Sequence, residues 1–99
     1  MIRTTHNRGV QFTFRNGLTI SIQFGAGNLC ENRFQNTTNS GMHKSDDAEV
    51  CIWDKENNLL RFGENYVRCW CSSDEIAQLI NAVQEASDIH SLQMELNKL

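Results

Sequence analysis

The chain reads as an α+β domain. The expected architecture is an antiparallel sheet of about five strands (a hairpin, a long loop, then a three-stranded meander) covered on one face by a C-terminal helix. Three observations predict it. Apolar and polar residues alternate on both sides of Asn16-Gly17. A polar stretch, residues 25–47, separates that pair from three further strand-like runs. From Ile76 onward the apolar period changes from two to between three and four, the mark of a helix with one buried face.

Each element has its own local reason. The first eight residues are polar and are expected to be a flexible N-terminus. Val10, Phe12 and Phe14 then alternate with polar residues, as do Leu18, Ile20, Ile22 and Phe24 after the turn. Asn-Gly between two such runs is a strong hairpin signal, with positive φ expected at both turn positions. After the loop, the strand-like runs centre on Ala48–Trp53, Leu59–Phe62 and Tyr66–Cys71. Short turns between them imply antiparallel neighbours. Ser72 followed by Glu75 fits a capping box opening a helix over 73–99, with Asp74 and Glu75 where the helix dipole favours acids. Ile76, Leu79, Ile80, Val83 and Ala86 form its stripe, and Ile89, Leu92, Leu96 and Leu99 continue it past a weak interruption at Ser87-Asp88. One helix covers one face, so the other face is expected to show Gln11, Thr13, Arg15, Thr19, Ser21, Gln23, Glu49, Trp53, Arg68 and Trp70.

Composition bounds the function. The 99 residues suit a single domain with one modest core. No apolar run is long enough to span a membrane, and the opening residues lack the apolar segment of a secretion signal, which points to the cytoplasm. Residues 1–44 hold five basic residues against one acid, whereas residues 45–99 hold four against eleven. Net charge is −3, which argues against general double-stranded nucleic-acid binding, since counterion release needs clustered Lys and Arg. Cys30, Cys51, Cys69 and Cys71 lack paired metal-ligand spacing, so they read as reduced thiols; zinc held by Cys30, His43 and one of the other cysteines is the lesser alternative. Cys69 and Cys71 are expected on the helix-covered face together with Val67.

Candidate binding residues fall in three places. The 25–47 loop opens with Gly25-Ala26-Gly27-Asn28, whose backbone could form an anion nest, and supplies Asn28, Glu31, Asn32, Arg33 and His43. Trp53 and Trp70, flanking Arg68 and Arg15, offer an aromatic–basic patch of the kind that dominates protein interfaces. Glu85 and Asp88, with Asp74, Glu75 and Glu95, give an acidic helix able to imitate nucleic acid, and the apolar stripe from Ile89 suggests a homodimer through the C-terminal helix. No triad, paired-carboxylate or metal-hydrolase pattern is present, so the chain reads as a binding protein without a cofactor rather than an enzyme.

The segments FRNGLTISIQFGAGNLCENR, DDAEVCIWDKENNLLRFG and CWCSSDEIAQLINAV carry a resemblance. Over roughly residues 10–85 the chain resembles a family of small, uncharacterised bacteriophage proteins with an NGLT hairpin, a G-x-GN-x-C-x-NR loop, an AEV-x-x-WD strand and a C-terminal helix. The resemblance implies a phage-encoded protein that inhibits a host factor, an anti-defence or anti-CRISPR type of inhibitor acting by stoichiometric protein binding. The alternative is a protein that sequesters a nucleotide or another small anion in the 25–33 loop.

Overall fold

The computed structural model describes residues 1–5, 9–24 and 44–98. Five strands, β1 (Ile2–Thr4), β2 (Gly9–Thr13), β3 (Thr19–Gln23), β4 (Asp47–Trp53) and β5 (Arg68–Ser72), form one antiparallel sheet in the order of the chain. Two helices follow, α1 (Ser73–Glu85) and α2 (Ile89–Asn97). The α+β class and the open antiparallel sheet agree with the sequence pattern. The strand set differs at both ends.

The first residues join the sheet instead of lying outside it. Ile2 pairs with Phe12 and Thr4 with Val10, while the N-terminal ammonium donates to the Thr13 carbonyl at 2.8 Å. At the other end, Leu59–Phe62 does not make a strand. It is reduced to two isolated bridges, Trp53 with Leu59 and Phe62 with Asn65. Asp54 explains this. Its carboxylate accepts the backbone N–H groups of Glu56 and Asn58 at 3.0 and 2.8 Å, closing a tight turn that places Asn57 at φ +65°. The chain leaves β4 too sharply to extend the ladder, but Leu60 N–H still bonds the Ile52 carbonyl and its side chain is fully buried.

The β2–β3 hairpin also departs from expectation. Phe14 accepts from Gly17 N–H and donates to the Leu18 carbonyl, so the loop has three residues, Arg15 to Gly17. Only Gly17 takes positive φ, +86°; Asn16 does not. This is a type I turn closed by a glycine bulge rather than a two-residue primed turn. Asn16 is thereby released for another task. Its Nδ2 donates to the carbonyls of Val83 (2.7 Å) and Ala86 (2.8 Å), while Oδ1 accepts from Leu18 N–H (3.0 Å). Those carbonyls are among the orphan acceptors at the end of α1, so the hairpin tip caps the helix. On the same strand pair, a Cβ at Gly9 would collide with the Ile22 carbonyl, which fixes glycine there.

The core lies between the sheet and the helices. Leu18, Ile20, Val50, Ile52, Leu60 and Cys71 meet Val83, Ile89 and Leu92. The expected single helix is broken at Ala86, which is extended, and Asp88 caps the second segment by accepting Ser91 N–H at 2.8 Å. The apolar stripe beginning at Ile89, expected as a dimerisation arm, instead folds back: Ile89 and Leu92 are only 5% and 1% exposed, and Leu96 packs against the core. Leu99 lies outside the described residues. On the opposite face Thr19 and Ser21, expected to be solvated, are 7% and 5% exposed. Their hydroxyls are hydrogen-bonded to Thr13 and Gln23 respectively, and such pairing is what lets polar side chains be buried.

Asn16→Ala should lower stability by about 1–3 kcal/mol, because it leaves part-buried carbonyls without a donor. Asn16→Asp keeps the Leu18 acceptor but not the donor, and should do no better. An unchanged urea midpoint for Asn16→Ala would show that the cap contributes nothing.

Candidate functional site

The register of β5 against β4 determines what the C-terminal half presents. Ala48 pairs with Cys71 and Val50 with Arg68, so Glu49 alone faces two residues, Cys69 and Trp70. This bulge shifts the alternation by one. Cys71 enters the core, whereas Cys69, expected there beside it, is only half-buried. Arg68 comes to the helix side, not to the open face where strict alternation would put it. There its Nε donates to Glu75 Oε2 at 3.0 Å.

Glu75 ties strand to helix. Its backbone N–H is capped by Ser72 Oγ at 3.2 Å, and its carboxylate receives both Arg68 and the Cys71 thiol, the latter at 3.6 Å. The capping box is thus half realised, with the carboxylate turned to β5. Burial pushes the Cys71 thiol up to about 12, with Glu75 adding to the effect, so this sulfur is a packed hydrophobe and not a nucleophile. The Glu75 hydrogen bond holds the Arg68 guanidinium above its ordinary value.

Beside this cluster runs a groove of about 610 Å³. One wall is α1 (Glu75, Gln78, Leu79, Ala82), and the other is the end of α2 (Leu96, Asn97) with the turn Arg61–Gly63. Gln93 sets that turn in place. Its side-chain amide accepts Arg61 N–H at 2.7 Å and donates to the Arg61 carbonyl at 2.9 Å, pairing with both main-chain groups of one residue as a neighbouring strand would. Both main-chain polar groups of Arg61 are thereby satisfied while its side chain stays exposed.

Among the described residues, the predicted site residues do not assemble into one patch. Trp53 is half-buried opposite Thr19, while Trp70 sits at the bulge four residues along β4, roughly 13 Å away at ordinary strand rise. Arg15 is at the hairpin tip and Arg68 in the groove, so the aromatic–basic grouping is not formed. Trp70 is 49% exposed and has φ +50°. Glu85 is exposed in the last turn of α1. Asp88 is occupied as a cap, and the Ser91 backbone N–H holds its carboxyl below the usual range. Asn28, Glu31, Asn32, Arg33 and His43 lie outside the described residues, as does Cys30. Among the described residues no group of three or more His, Cys, Asp or Glu could hold a metal ion, and no helix is long and apolar enough to cross a membrane.

Arg61, Gln78, Leu79, Leu96 and Asn97 were not singled out by sequence. Leu79 belongs to an apolar stripe that reads as core and Leu96 to one that reads as a dimerisation arm, and nothing local announces that Gln93 would position Arg61. No family model, curated protein or solved structure matches this chain.

The unfolded chain loses the Cys71 proton near 9.0 and the folded chain near 12. Between those limits the unfolded state binds fewer protons, so this thiol's contribution to stability falls as pH rises. The stability difference between the wild type and Cys71→Ala should be flat below pH 9 and shrink above it in urea titrations. A pH-independent difference would contradict the assignment.

Proposed function

We propose that the chain is a binding protein that engages one partner protein stoichiometrically. Following its resemblance to small bacteriophage proteins, we propose that the partner is a host factor, a component of a bacterial defence system, which it inhibits. The observation that carries the reading is Trp70. A non-glycine residue in the left-handed region costs about 1–2 kcal/mol, and here that residue is a tryptophan whose indole is left half in solvent. Backbone preference favours glycine at this position, and solvent favours a polar side chain. Tryptophan satisfies neither, but it is among the residues most enriched where protein partners bind tightly. Its setting agrees. β5 is an edge strand, and a bulge interrupts the flat backbone that would otherwise invite another strand to add. Recognition there falls to side chains.

The acidic-helix variant of this reading has less support. Of the five helix acids, Glu75 is paired with Arg68 and Asp88 caps α2, so two of them already serve the fold.

Trp70→Gly separates function from folding. Because glycine accepts positive φ freely, relief of the backbone offsets part of the indole's lost burial, and the variant should stay folded with stability lowered by no more than about 2 kcal/mol. It should also lose a protein that the wild type retains from bacterial lysate at one-to-one stoichiometry. Undiminished capture by Trp70→Gly would sink the proposal.

A further inference from the structure

We propose that the groove between α1 and the end of α2 takes an acidic–apolar peptide segment of a partner protein, its carboxylate on the Arg61–Arg68 rim. This deepens the reading that the chain works by binding protein, and rests on it, but concerns a surface distinct from Trp70. The groove's volume of about 610 Å³ falls among those of ligand-binding clefts, which run from about 300 to 1,000 Å³. Its lining carries Phe62, Leu79 and Leu96, which pack against the core and remain only partly covered. Apolar side chains of an incoming segment would complete that packing.

Charge selects among apolar segments. Residues 45–99 contain only four cations, and two of them, Arg61 and Arg68, line this one groove. Arg68 uses Nε on Glu75, and a guanidinium has a fork of further N–H donors on its Nη atoms. Arg61 is anchored by its main-chain N–H and carbonyl through Gln93, and its side chain makes no ion pair among the described residues. The single lining acid, Glu75, is matched by Arg68, so the rim is net positive on an acidic molecule. A carboxylate is therefore the complementary charge. The amides of Gln78 and Asn97 supply donors and acceptors that suit a peptide backbone, and Asn97 Oδ1 is already oriented by Gln93 Nε2 at 3.2 Å.

The test uses the full chain and fluorescence anisotropy with two labelled peptides, one alternating glutamate with leucine and one alternating lysine with leucine. The wild type should bind the glutamate peptide, more weakly as salt rises, and should not bind the lysine peptide. Arg61→Glu should weaken glutamate-peptide binding by about tenfold, since an attraction becomes a repulsion, and should improve lysine-peptide binding. Its unfolding midpoint should be unchanged, because the Arg61 side chain holds nothing in place. Equal binding of both peptides, or no effect of Arg61→Glu, overturns the proposal. So does binding of dodecanoate without binding of the glutamate peptide, which would mark a small-molecule site. Trp70→Gly should bind the glutamate peptide as the wild type does. If the peptide fails to bind while Trp70→Gly still abolishes lysate capture, the groove inference falls and the Trp70 reading stands. The reverse pattern spares the groove alone.

Discussion

The amide of Asn16 holds the two halves of this fold together. It reaches from the β2–β3 hairpin to the Val83 and Ala86 carbonyls, the point where α1 must stop. Everything C-terminal depends on that stop. Because Ala86 is extended rather than helical, Ser87 and Asp88 can turn the chain and α2 can fold back across the core. Ile89 and Leu92 then close the hydrophobic interior, and Gln93 arrives where it can clamp the main chain of Arg61. A continuous helix over the same residues would carry that apolar stripe away from the sheet. It would leave Leu60 under-covered and the groove without its second wall. A short polar contact between distant segments thus decides whether the C-terminal residues are core or arm.

The β5 bulge is the second constraint, and it works by parity. One extra residue opposite Glu49 exchanges the faces of everything before it on the strand. Arg68 moves from the open face to the helix side, where Glu75 can receive it, and Cys71 falls opposite Ala48 in the core. The same insertion places Trp70 at positive φ in partial solvent. The half-exposed indole and the Arg68–Glu75 ion pair are therefore consequences of one backbone irregularity. In physical terms the strain at Trp70 is offset by the contacts that the shifted register permits.

Much of the frame was legible from residues alone. Alternation around Asn16-Gly17 located β2 and β3, the run from Ala48 located β4, and Ser72 with Glu75 marked the start of α1. What escaped depended on partners distant in sequence. Ile2–Thr4 looks polar because an edge strand needs only backbone pairing, with little apolar content. Leu59–Phe62 has strand-like residues, but the Asp54 turn removes it from the ladder. The Asn-Gly signal was right about a hairpin and wrong about its geometry, because Asn16 is engaged by a helix nearly seventy residues away. A bulge leaves no reliable trace in hydrophobic period when the residues involved are Cys-Trp-Cys, each compatible with either face. The site suffered most for this reason, since Arg68 and Trp70 were read as neighbours on one face. The loop residues Asn28 to Arg33 and His43 fall outside the described part of the chain, so that reading keeps only its sequence basis.

Net charge is a poor guide to what this molecule recognises. Residues 45–99 are strongly acidic, yet several of those carboxylates already have work within the fold. Asp54 is held below the usual carboxylate range first by the Asn58 side chain, and Asp88 by the Ser91 backbone; Glu75 is matched by Arg68. Each of those charges is neutralised or oriented locally. Glu56, Glu64, Asp74, Glu85 and Glu95 lie on exposed surface, where salt screens interactions beyond about 8 Å. Short-range geometry therefore outweighs the sum. The Gln93 clamp holds the main-chain N–H and carbonyl of Arg61, and its guanidinium makes no ion pair among the described residues, beside partly covered apolar side chains. A cationic rim can persist on an acidic protein because the nearest acid has been drawn off to stabilise the junction of β5 with α1. The ion pair that secures the fold also sets the polarity of the adjacent groove.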